Sequence, residues 1–110
     1  MDLVRYSKGI TKRLFEILDR TKEAIEFNDD KKLQDVEKMM DVLSVEIKGS
    51  LTDFETLDRG FHLHSVANLL NGLKTITDYN VRRKVIKDCL SIVHRVTEDA
   101  KEKFGGGDNA

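Results

Sequence analysis

The 110-residue chain has no proline, no tryptophan and a single cysteine, and three of its seven glycines fall together at positions 105–107. Proline usage of about 5% would give roughly five. Sheet proteins recruit proline and glycine at their turns. Their scarcity before residue 105 therefore points to long helices and short links. No apolar run approaches the ~20 residues of a membrane span, and the mean hydropathy is −0.44. A lone Cys89 excludes an internal disulfide and suits a reducing compartment. It falls on an apolar stripe and reads as a small core residue. The opening Met-Asp-Leu-Val-Arg carries no apolar signal segment, so a cytoplasmic location is expected.

Charge of one sign is also lacking. Nineteen basic and twenty acidic residues leave a net charge of −1. The sequence pI is about 6.3, whereas a nucleic-acid-binding domain is typically above about 9. The charges are nevertheless unevenly spread. The start holds Arg5, Lys8, Lys12 and Arg13, and the last helical segment holds Arg82, Arg83, Lys84 and Lys87. The stretch from Glu16 to Asp41 is rich in acids. Solvated helix faces are the plain reading. The sharper reading makes Arg5, Arg82, Arg83 and Lys84 the contacts to a partner.

Four amphipathic segments are present. The first runs from about Asp2 to Phe27, with Leu3, Ile10, Ile17 and Ala24 every seven residues and Leu14, Leu18, Thr21 and Ile25 widening the stripe. Asn28-Asp29-Asp30 breaks it: asparagine tolerates the left-handed C′ position and aspartate is a good N-cap. A second helix over about Lys31 to Lys48 carries Leu33, Val36, Met40, Leu43 and Ile47, and Gly49-Ser50 is expected to end it. Thr52-Asp53-Phe54-Glu55 has the form of a capping box, which predicts a third helix from Thr52. Its stripe is Phe61 or Leu63, then Val66, Leu70, Leu73 and Ile76, and Gly72 would allow close packing. Asn80 is expected to cap a fourth helix, Val81 to Phe104, with Val85, Cys89, Ile92, Val96 and Ala100 inward. The alternative is one long bent helix through Thr77–Asn80. The fold class that follows is an all-α, antiparallel up-down-up-down four-helix bundle over residues 1–104, with a disordered glycine-rich tail at 105–110.

The sequence shows no Gly-rich phosphate loop, no HExxH and no CxxC. His62 and His64 are two apart on a helix and point to different faces, so they do not chelate one metal together. Glu37 and Asp41 are four apart, as bridging carboxylates often are, but no Glu-x-x-His accompanies them. His64-Ser65-Val66-Ala67-Asn68 resembles the phosphoacceptor helix of histidine-kinase dimerisation domains, where an asparagine or threonine follows the histidine by four. Those domains place an acid directly after the histidine, and here it is Ser65. The resemblance implies phosphotransfer at the His64 imidazole.

A second resemblance spans roughly residues 2 to 80. Asp2-Leu3-Val4-Arg5-Tyr6, Leu14 and Glu23-Ala24-Ile25, then Val36 and Asp41 through Glu46-Ile47, are similar to the first two helices of PhoU-like domains. That family regulates phosphate uptake, and related domains hang from sodium–phosphate cotransporters. Its third helix carries Asn-Asp-Leu-Glu-Arg-Ile-Gly-Asp-His. Here Asn71-Gly72-Leu73-Lys74-Thr75-Ile76-Thr77-Asp78-Tyr79 aligns without a gap, matching at Asn71, Leu73, Ile76 and Asp78. The family's metal-ligating acid is replaced by Lys74, which removes two oxygens and adds a charge that repels a cation. Asp78 is the one ligand the resemblance leaves, and no cofactor is expected.

The expectation is a non-enzymatic regulatory or interaction domain that modulates a transporter or a two-component signalling protein. The alternatives are phosphotransfer through His64, a helical export chaperone suggested by the Lys22–Leu51 hairpin, and a structural oligomeric bundle. A homodimer would use Phe27, Met39 or Leu69, which lie beside the stripes. No nucleic acid and no membrane span are expected.

Overall fold

A computed structural model describes residues 2–104 of the chain. Within them lie four α-helices and no strand: α1 (Leu3–Glu26), α2 (Asp30–Ser50), α3 (Leu63–Leu73) and α4 (Tyr79–Phe104). The helices pack in a ring, α1 on α2 and α4, and α3 on α2 and α4. The result is an all-α four-helix bundle, as the spacing predicts. The tail expected to be disordered, 105–110, lies outside the described residues.

The apolar stripes fill the centre. Leu3, Ile10, Leu14, Ile17 and Ala24 of α1 are buried, with Val36, Met40, Leu43 and Ile47 of α2. Leu63, Val66, Leu70 and Leu73 of α3 and Ile86, Cys89, Val93, Val96 and Ala100 of α4 complete the core. Each buried Leu, Ile or Val contributes about 1.5–3 kcal/mol relative to exposure. Val85 and Ile92, expected inward, are half-buried at the margin. Ile25, expected to widen the first stripe, is exposed. A polar tie joins α1 to α4: the buried hydroxyls of Ser7 and Thr97 lie 2.8 Å apart.

The α1–α2 link follows its residues. Asn28 takes a left-handed φ of 51°. Its N–H donates to the Ile25 carbonyl at 3.1 Å, and the Asp29 N–H donates to the Ala24 carbonyl at 2.9 Å. These paired bonds satisfy the carbonyls that a helix end leaves open. Asp29 then caps α2, its carboxylate accepting from the Lys32 N–H at 3.1 Å.

The third segment differs from expectation. α2 runs through Gly49 to Ser50, and the chain then makes two 3-10 turns, Leu51–Phe54 and Gly60–His62, before α3 starts at Leu63. The capping box at Thr52 does not start an α-helix. The reason is phase. Nine residues separate Phe54 from Leu63, and at about 100° per residue they would face opposite sides of one helix. Both are fully buried, which requires the break between them. Phe61 consequently turns outward and Leu63 inward.

Gly60 makes the break possible. A Cβ there would fall 1.9 Å from the Phe54 carbonyl oxygen. At Gly72 a Cβ would meet nothing within 4 Å, so this glycine serves no close packing. The crossover is tied on several sides. Tyr6 of α1 packs on Phe54 with ring centroids 5.9 Å apart, and its hydroxyl donates to the Glu46 carbonyl at 3.3 Å. Arg59 donates twice to Asp99 of α4, at 3.0 and 2.6 Å, and holds that carboxyl below the ordinary aspartate range. Lys103 donates to the Thr56 carbonyl at 2.6 Å.

Helices α3 and α4 are separate, joined by residues 74–78. Asp78 rather than Asn80 caps α4: its carboxylate accepts from the Val81 N–H at 3.2 Å. Arg82, expected among the surface contacts, is instead wholly excluded from solvent. Its Nε donates to the Ile76 carbonyl and so closes the 74–78 link. Its two terminal nitrogens, Nη1 and Nη2, are buried without a hydrogen-bond partner. Desolvation makes the guanidinium less basic than an ordinary arginine, and the negative charge of Glu37 opposes that shift.

Two expectations follow for denaturant unfolding. Gly60→Ala forces the Phe54 backbone aside and is expected to cost about 1–3 kcal/mol or more, whereas Gly72→Ala gains up to ~1 kcal/mol of helix propensity. Equal stability of the two variants would refute the close-approach account. At Arg82, an apolar side chain of similar length removes a poorly paired buried charge. Arg82→Met is thus expected to be neutral or stabilising by about 1–4 kcal/mol, and Arg82→Ala to cost about 2–5 kcal/mol by leaving a cavity. A loss in Arg82→Met as large as in Arg82→Ala would show that the bond to Ile76 dominates.

Candidate functional site

The crossover that replaces the start of the third helix also shapes a cleft of about 450 Å³, lined by Leu51, Glu55, Leu57, Phe61, His64 and Ser65. Phe61 is 68% exposed. Its ring meets that of His62 edge-on, with centroids 4.4 Å apart. His62 is half-buried and His64 is exposed. His62 ends the second 3-10 turn and only His64 lies on α3, so the two do not share a helix as expected. The His64 Nδ1 lies 3.1 Å from the Asn68 side-chain nitrogen, one helical turn on. In that orientation the amide donates and Nδ1 accepts, which leaves the neutral ring's proton on Nε2.

The residues that carry the metal-site comparison have other work here. Lys74 bonds Asp41 of α2 at 2.5 Å, and Asp78 is engaged as the α4 cap. Asp41 therefore faces an ammonium rather than Glu37 and a shared cation. Among the described residues, no group of three or more His, Cys, Asp or Glu side chains is placed to hold a metal ion.

Of the four residues expected to meet a partner, Arg5, Arg83 and Lys84 are exposed and Arg82 is not. The stripe itself holds the signal that would have placed it. Arg82, Ile86, Cys89, Val93, Val96 and Ala100 step by four and three, so Arg82 extends the buried face by one turn. Cys89 sits in the middle of that face, and burial pushes its thiol up to about 12. A thiol in that state is a packing group rather than a nucleophile.

Sequence reasoning missed the outer face of α2. Val42 and Val45 are 50% and 69% exposed, on a helix that elsewhere presents charge to solvent. With Met39, Val42 borders a groove between α1 and α2 that also includes Ile17, Arg13 and Lys38. The inward steps of α2 account for Val36, Met40, Leu43 and Ile47 and leave both valines off the stripe. Two off-stripe valines three residues apart were the available signal. Among the described residues, no helix is long and apolar enough to cross a membrane. Compared with protein-family models, curated proteins and solved structures, the chain matches none.

Proposed function

We propose that the chain is a non-enzymatic interaction module that modulates a transporter or a signalling protein, in the manner of the PhoU-like domains it resembles. The observation that supports this reading is the outer face of α2, where Val42 and Val45 stand in solvent and Val42 borders a groove with Met39. A helix with only water to face would carry charge there. An interface core, by contrast, is depleted in charge.

Photo-crosslinkers placed at Phe15, Val45 and Phe61, in cells shifted between high and low phosphate, test the reading. The expected result is an adduct with a transporter or two-component protein whose yield changes with phosphate. Val42→Lys should remove the Val45 adduct while shifting stability by no more than about 0.5 kcal/mol. Absence of adducts at all three positions, at either phosphate level, rejects it.

The exposure of His64 and its pairing with Asn68 favour one second reading, phosphotransfer. Turning the Asn68 amide by half a rotation presents its oxygen to an Nδ1–H and leaves Nε2 with a free lone pair. That nitrogen then attacks the phosphorus of an acyl phosphate: the P–N bond forms, the P–O bond breaks, and the carboxylate leaves with the electron pair. Incubation with acetyl phosphate or a phosphorylated receiver domain should give an acid-labile label that His64→Ala removes and Asn68→Ala diminishes. An unlabelled protein ends this reading.

A further inference from the structure

The other side of the ring carries a groove of different character. Between α1 and α4 lies a depression of about 350 Å³, whose lining includes Phe15, Leu90, His94, Lys8 and Lys101. Phe15 is 52% exposed and Leu90 is half-buried. Helical repeat extends the lane. On α1, Lys8, Phe15 and Lys22 recur every seven residues, with Lys12 beside them. On α4, Lys87, His94 and Lys101 recur likewise, with Arg83 one turn before Lys87. The acids on this face are Asp19 and Glu26 of α1 and Glu98 of α4, the last already 3.5 Å from Lys101. Six fixed cations thus face three acids in a chain whose net charge is −1.

We infer that this lane is the docking site for an acidic amphipathic helix of a partner protein, an inference that rests on the interaction-module reading above. Charge complementarity selects the occupant. A second copy would bring the same excess of cations to the same face, and like charges oppose that pairing. A groove between two helices also suits a third helix, whose apolar stripe would lie on Phe15 and Leu90. Its flanking carboxylates would reach the lysine rows on either side. Lys8 to Lys22 spans fourteen residues, about 21 Å, which accommodates about four turns of a docked helix.

The test uses the full chain and a labelled synthetic peptide of four helical turns, with a Leu/Phe stripe flanked by glutamates. Anisotropy titration should give saturable binding that weakens at least tenfold when salt is raised from low to high. Lys22→Glu combined with Lys87→Glu should weaken it at least tenfold, and Phe15→Ala at least fivefold. Circular dichroism should be unchanged in both variants, because all three side chains are exposed. Equal binding of a peptide with lysine in place of glutamate overturns the inference. So does binding that the variants leave intact, or no binding at all. Tighter binding to vesicles containing phosphatidylserine than to the peptide reassigns the lane to a lipid surface. Self-association that Phe15→Ala abolishes reassigns it to a second copy. Crosslinks at Val45 or Phe61 without any at Phe15 leave the interaction reading standing and remove this groove from it.

Discussion

One end of the bundle is organised by the approach of Gly60 to the Phe54 carbonyl. No other residue type fits there, because a Cβ would sit 1.9 Å from that oxygen. The contact folds the chain back within six residues and so allows Phe54 and Leu63, out of phase on any single helix, to enter the same core. The consequences spread outward from it. Phe54 meets Tyr6 of α1, Arg59 reaches Asp99 of α4, and Phe61 is left in solvent at the mouth of the His64 cleft. A fold that needs this turn obtains an exposed aromatic side chain as a by-product.

The link between α3 and α4 is held differently. There the chain is closed by Arg82 through the Ile76 carbonyl and by Asp78 through the first turn of α4. The closure places a guanidinium in the core with two nitrogens unpartnered. Replacing an imperfectly paired buried ion by an apolar residue is often neutral or stabilising. Core packing alone thus gives no reason for arginine at this position. The Asp41–Lys74 pair braces the same end from α2, but it lies nearer the surface, where such pairs contribute little.

Much of this fold was legible in the sequence, because its stripes obey the helical period. Asn28 and Asp29 end one helix and start the next by backbone preferences that need no tertiary help. The misreadings share a cause. A capping box is a local signal, and at Thr52 it is outweighed by the demand that Phe54, Leu57 and Leu63 all be buried. Arginine is ordinarily a surface residue, so chemistry pointed Arg82 outward while spacing pointed it inward, and spacing prevailed. Asn80 and Asp78 are both competent caps, and the sequence does not choose between them. The candidate sites were less legible than the fold. Outward residues such as Phe15 and Val45 are defined by which faces remain uncovered, and that depends on how all four helices are arranged.

The ring order gives these faces a consequence of their own. The α1–α4 groove and the His64 cleft, which opens between the crossover and α3, share no lining residue. Occupation of one therefore does not sterically exclude occupation of the other. Any influence between them has to pass through the packed centre, and a coupling free energy exists only where a ligand distinguishes two arrangements of that centre. The element best suited to have two arrangements is the crossover. Its 3-10 turns are short and have poorer hydrogen-bond geometry than the α-helices. It also contacts α4, through Arg59 to Asp99 and through the Thr56 carbonyl to Lys103, and lines the cleft through Phe61. The absence of proline throughout the chain acts in the same direction, since no connection is stiffened by a fixed φ. The segment that departs most from a regular four-helix pattern is thus also the one in contact with both α4 and the cleft.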